Sequence, residues 1–114
     1  MTRHWIAVCN VDDLQPDSGI CAQVAGKQVA LFYFSKLQQV FAVDNFDPIG
    51  QANVLSRGMV GDLGGEPMVA SPLYKQHYSL KTGVCFEDDS VQLQTYSVCI
   101  DDRRVMLNLE VASL

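Results

Sequence analysis

The residues with chemistry to offer are few, and most lie in two short stretches punctuated by proline and glycine. These are Asp47-Pro48-Ile49-Gly50 and Ser71-Pro72-Leu73-Tyr74-Lys75-Gln76-His77. A nucleophilic site needs a hydroxyl or thiol beside a histidine that a carboxylate orients. The only histidines are His4 and His77. Ser71 lies six residues from His77, about 20 Å along an extended strand, and no Gly-x-Ser-x-Gly elbow surrounds it, so hydrolytic chemistry is not expected. The cysteines, Cys9, Cys21, Cys85 and Cys99, form no Cys-x-x-Cys or Cys-x-His clip, which argues against zinc. Three of them sit in apolar runs and are expected to be buried free thiols of a reducing compartment. Asp47 with His77 gives two scattered ligands and no metal site. With Pro48 and Gly50 behind it, Asp47 is better explained as a turn residue whose carboxylate accepts backbone N–H bonds. Asp12-Asp13, Glu87-Asp88-Asp89 and Asp101-Asp102 lack the alternating oxygens of a calcium loop and are expected to be solvated turns. Gly58, Gly61, Gly64 and Gly65 match no phosphate-cradling frame and suggest a flexible lid or docking loop.

The two stretches say more when each is followed further along the chain. Asp47-Pro48-Ile49-Gly50 leads to Val54-Leu55-Ser56-Arg57-Gly58, and Ser71-Pro72-Leu73-Tyr74 leads to Tyr78-Ser79-Leu80 and Lys81-Thr82-Gly83. This succession resembles the two loops of a Rieske iron–sulfur domain. There the first loop runs Cys-Pro-His and on to Leu-Ser-x-Gly, and the second runs Cys-Pro-x-His to an aromatic, a Leu and Thr-Gly. The resemblance places Asp47 and Ile49 at the first Cys and His, and Ser71 and Tyr74 at the second pair. A Rieske centre takes two thiolates on one iron and two imidazoles on the other. Ile49 cannot ligate, Ser71 is a poor ligand at neutral pH, and Asp47 and Tyr74 offer hard oxygen. The implied protein is a Rieske-shaped domain with no metal or cofactor of its own. Two roles are open for the second loop's tip. Tyr74 with Leu73 fills the volume a cluster would take, or Tyr74, Lys75 and His77 project outward as a partner contact, as this tip does in cluster-bearing relatives.

The elements that must position these loops are strands. Trp5 to Cys9, Ile20 to Ala25, Gln28 to Phe34 and Val40 to Val43 have strand character, with Gly26-Lys27 as a tight hairpin link. A single helical turn opened by an Asp is expected between Val11 and Gly19. Glycines mark turns from Gly58 to Pro67, and Met68 to Ala70 is a short strand into the second loop. Val91 to Thr95 alternates like a half-buried strand, and Val98 to Ile100 and Arg104 to Val111 form a final hairpin around Asp101-Asp102-Arg103. No stretch carries apolar residues at helical spacing over three turns. The 114 residues are expected to form a single all-β domain over 1–114, a small antiparallel sandwich or partly open barrel with two motif loops.

Charge and hydropathy narrow the partners. Asp and Glu number 13 against 8 Lys and Arg, so the net charge of −5 repels nucleic acid and anionic lipid. The longest apolar run, Val29 to Phe34, is far too short to span a membrane, and the N-terminus shows no export signal. A Rieske frame without ligands in a chain of this length resembles the small-subunit family of cytoplasmic NADH-dependent assimilatory nitrite reductases. What the resemblance implies is an accessory subunit without catalytic residues. Its partner would be a large catalytic subunit that carries FAD, a [4Fe–4S] cluster and sirohaem and reduces nitrite to ammonium. The alternative is a stand-alone Rieske-fold protein-binding module with no redox role.

Overall fold

The computed structural model describes residues 5–108. β1 (Trp5–Asn10) ends in a 3-10 turn, Val11–Asp13, closed by the Asn10 amide donating to the Asp13 carboxylate at 2.9 Å. β2 (Ser18–Val24), β3 (Lys27–Phe34) and β4 (Gln39–Asp44) follow as a meander. Then come β5 (Phe46–Asp47), β6 (Ala52–Asn53), a 3-10 turn at Leu55–Arg57, β7 (Met59–Leu63), β8 (Glu66–Ala70) and β9 (His77–Ser79). β10 (Thr95–Asp101) and β11 (Arg104–Asn108) complete the described chain. His4 and Leu109 to Val111, which the sequence placed at the two ends, lie outside the described residues.

Six strands pair antiparallel in the order β1-β11-β10-β4-β3-β2, and the end strands β1 and β2 come into contact as the sheet curls into a half-barrel. β7-β8-β9 make a second antiparallel sheet and β5-β6 a small ribbon. β3 explains how the two parts become one body. Successive strand residues face opposite ways, so an unbroken apolar run requires cover on both sides. Val29 and Leu31 point into the half-barrel with Val24, Ala42, Tyr96 and Leu107. Ala30, Phe32 and Phe34 point the other way, onto Leu55, Val69, Tyr78, Leu80, Cys85 and Leu93 of the loop-bearing unit.

Several expectations change at close range. The first hairpin turn is Ala25-Gly26, one residue earlier than Gly26-Lys27, with φ of +51° and +81° as a type I′ turn demands. The glycine-rich stretch is no lid. It is the β7–β8 hairpin, with Gly64 and Gly65 (φ +60° and +90°) forming its two-residue turn. Glycine density here does not mean looseness, because Gly58 is needed for close approach: a Cβ there would stand 2.3 Å from the Ala70 carbonyl oxygen. Val91 to Gln94 is not a strand, because its alternation seals a loop against the core through Val91 and Leu93. All four cysteines are free thiols, but only Cys85 is buried; Cys21 and Cys99 are exposed on β2 and β10. The last hairpin follows the expected face, with Val105 and Leu107 fully buried.

Gly83 is the tightest of the motif glycines, with φ at +84° and space for a Cβ only 2.2 Å from the Leu93 carbonyl oxygen. Gly83→Ala is expected to lower stability by about 3 kcal/mol. Gly64→Ala, equally left-handed but facing open space, should cost about 1 kcal/mol. Urea midpoints at constant slope measure both.

Candidate functional site

The first motif loop leaves β5 at Asp47 and the second leaves β8 at Ala70, and the fold sets them side by side. Asp47 is fully buried and Ser71 is 1% exposed. The Ser71 hydroxyl donates to Asp47 Oδ2 at 2.5 Å. The Tyr78 phenol and the Ile49 amide both donate to Oδ1 at 2.9 Å. Ser71 Oγ in turn accepts the Leu73 amide at 3.2 Å. One carboxylate therefore joins the first loop, the second loop and β9.

Burial is the largest influence on Asp47 and would raise its pKa. The donors from Ser71, the Gly50 amide, Tyr78 and the Ile49 amide together outweigh it and hold the carboxyl below its ordinary value. Tyr78 moves the other way: burial, then its bond to the Asp47 carboxylate, pushes its pKa strongly upward, so it stays a donor.

Glycine makes the loops fit. A Cβ on Gly50 would be 2.4 Å from Leu73 Cδ1, so Leu73 closes over the first loop. A Cβ on Gly19 of β2 would be 2.5 Å from the Ser56 carbonyl oxygen. That lets the Leu55–Arg57 turn lie against the half-barrel. Asn45 anchors the same turn: its Oδ1 accepts the Ser56 amide at 2.7 Å, its carbonyl accepts the Leu55 amide at 3.1 Å, and its Nδ2 donates to Gln28 at 3.0 Å.

The residues singled out from sequence thus separate. Asp47 and Ser71, the two thiolate positions of the Rieske frame, are brought together as a hydrogen-bonded pair. Ile49 packs against the core, and Tyr74 stands 65% exposed at the tip. The filler reading of Tyr74 is overturned: Leu73 covers Gly50 while the phenol points to solvent. Lys75 is exposed with φ +67°, its amide bonded to the Ser71 carbonyl at 3.1 Å. His77 does not reach Asp47's carboxylate. Its ring Nδ1 and its amide both engage Glu87, at 2.5 and 2.8 Å.

Tyr78, Glu87 and Asn45 join the site only through the fold. Tyr78 was visible as the aromatic of the second motif, but only the fold shows its hydroxyl reaching back 31 positions to Asp47.

A [2Fe–2S] cluster does not fit this donor set. A carboxylate and a hydroxyl bond directly to each other where two thiolates would ligate, an aliphatic chain occupies one imidazole position, and the other projects into solvent.

The Rieske-like [2Fe-2S] domain family matches residues 4–108. The nitrite reductase (NADH) small subunit of Salmonella typhimurium is 43% identical over 104 residues, covering 91% of this chain and 96% of that protein. The NMR structure of the Escherichia coli protein NirD superposes with a TM-score of 0.85 at 39% identity, covering 94% of this chain and 97% of that one. The nitrite reductase [NAD(P)H] large subunit of Klebsiella oxytoca contains a stretch 41% identical over 104 residues, which is 91% of this chain and 11% of that protein.

Asp47→Ala leaves two buried hydroxyls without an acceptor and should destabilise the fold by about 3 kcal/mol in denaturant unfolding. Because Asp47 has a lowered pKa when folded, its contribution is complete above about pH 4, the unfolded carboxyl's value. It is lost as pH falls from there through the lower folded value. Asp47→Asn, which cannot titrate, should flatten that part of the acid-unfolding profile relative to wild type.

Proposed function

The chain belongs to the Rieske-like [2Fe-2S] domain family and is homologous throughout to the small subunit of NADH-dependent nitrite reductase, and from that premise we propose an accessory subunit that bears no cofactor. It docks on a large catalytic subunit, which carries FAD, a [4Fe–4S] cluster and sirohaem and reduces nitrite to ammonium with NADH in the cytoplasm, serving nitrate and nitrite assimilation. The observation that carries this reading is the Klebsiella oxytoca large subunit, which holds a copy of this domain within its own length. A relative of this chain joined to a large subunit in one polypeptide supports this chain working beside such a subunit. The same observation favours the subunit role over a stand-alone binding module.

The residues fit a role without cofactors. Thiols at Cys9, Cys21, Cys85 and Cys99 offer no cluster-binding set. The doubly-wound dinucleotide fold uses parallel strands crossed by helices, whereas the sheets of the described residues are antiparallel. The charge balance disfavours nucleic acid as a partner, and among the described residues no helix is long and apolar enough to cross a membrane.

The contact is made by the tip of the second loop through Tyr74, Lys75 and His77. Tyr74 is an aromatic anchor held out on a backbone that is already ordered: Ser71 spans the loop by donating its amide to the Gln76 carbonyl at 2.8 Å and accepting the Lys75 amide. A rigid exposed aromatic loses little freedom on binding, which is why such residues dominate interface energetics. Docking then stabilises the turnover-competent arrangement of the large subunit by binding it better than its alternatives.

Reconstitution tests this. The large subunit alone should turn over nitrite with NADH more slowly than with this chain added, and Tyr74→Ala should weaken association at least tenfold while leaving the unfolding midpoint unchanged. Full turnover by the large subunit alone would count against the proposal, as would iron and acid-labile sulfide in the purified small chain.

A further inference from the structure

Among the described residues, one edge of the three-stranded sheet takes no further strand. In the order β7-β8-β9, β9 is backed by the bridge between Tyr78 and Cys85, while β7 pairs only with β8. The half-barrel's end strands, β1 and β2, lie beside each other without pairing. β7 comes near β2 without pairing with it.

Register decides what that edge offers. The two-residue turn Gly64-Gly65 makes Leu63 and Glu66 a mutually hydrogen-bonded pair, and such pairs recur at every second position of an antiparallel ladder. Met59, Gly61 and Leu63 therefore spend their backbone groups on β8. Val60 and Asp62 aim theirs away from it, along the free edge.

That edge borders a cleft of about 350 Å³. Phe34, Val60 and Pro67 give it an apolar lining, Leu37 forms an exposed wall at 50%, and Lys36, Asp17 and Asp62 supply charge around it. Exposed edges are ordinarily blunted with charge, proline or bulges. β7 has one carboxylate, and Met59 and Leu63 are 77% and 42% exposed.

We propose that the free edge of β7 and the adjoining cleft receive an extended segment of the large subunit, which adds as a further strand and places an apolar side chain over Phe34 and Leu37. An unpaired row of backbone donors and acceptors is complemented by extended peptide backbone, and a side pocket beside it reads alternate side chains. The partner's identity rests on the proposal above that the domain works on the large subunit, whose Klebsiella oxytoca relative contains this domain. The edge is a second contact, separate from the tip at Tyr74.

Hydrogen exchange tests it without any mutation. In the free chain the amides of Val60 and Asp62 should exchange fast and those of Gly61 and Leu63 slowly. Adding the purified large subunit should slow Val60 and Asp62 at least tenfold, read by quenched-exchange NMR. Asp62→Pro, which removes an outward donor at an exposed position, and Leu37→Asp should each weaken association at least tenfold with an unchanged thermal midpoint. A complex that forms while Val60 and Asp62 keep their free rates overturns the strand-addition inference and leaves the accessory-subunit reading standing. Absence of any complex overturns both.

Discussion

A single buried carboxylate organises the part of this molecule that distinguishes it from a plain β-barrel. Two loops that in a Rieske protein would be joined through iron are joined here by Asp47, with Ser71 and Tyr78 as donors from the other side. A buried charge is costly unless its lone pairs are taken up. At Asp47 every donor that takes them up also specifies position: the Ile49 and Gly50 amides shape its own turn, Ser71 fixes the second loop, and Tyr78 fixes β9. The network holds the two loops and β9 in register with ordinary hydrogen bonds.

That substitution works because the surrounding scaffold already forces the loops together. β3 is buried on both faces, so the half-barrel and the loop unit share one strand as a common wall. The motif glycines then remove the side chains that would hold the loops apart, at Gly50 under Leu73, Gly58 beneath the Ala70 carbonyl and Gly83 against Leu93. Their spacing answers to packing.

The loop unit presents two different surfaces as a result. Its tip is rigid and aromatic, fixed from beneath by Ser71. Its β7 edge is backbone-rich and flanked by methionine and leucine, suited to adaptable contact.

The sequence by itself determined the all-β class, the β2–β3 and β10–β11 hairpins and the residue types available in the two motif loops, because alternation, turn residues and donor chemistry are local properties. Asp47 as an acceptor of backbone N–H groups was legible in Asp-Pro-x-Gly. Its bonds to Ser71 and Tyr78 were not, since they span 24 and 31 positions and exist only after the sheets pack. The same holds for Gly61, Gly64 and Gly65, which look like a mobile segment until Glu66 to Ala70 is seen to pair with Met59 to Leu63. Tertiary structure alone decided which of Leu73 and Tyr74 packs over Gly50, leaving Leu73 44% and Tyr74 65% exposed. Both are large and apolar enough to fill a gap, and the choice fell to whichever side chain the Ser71 turn aimed at Gly50.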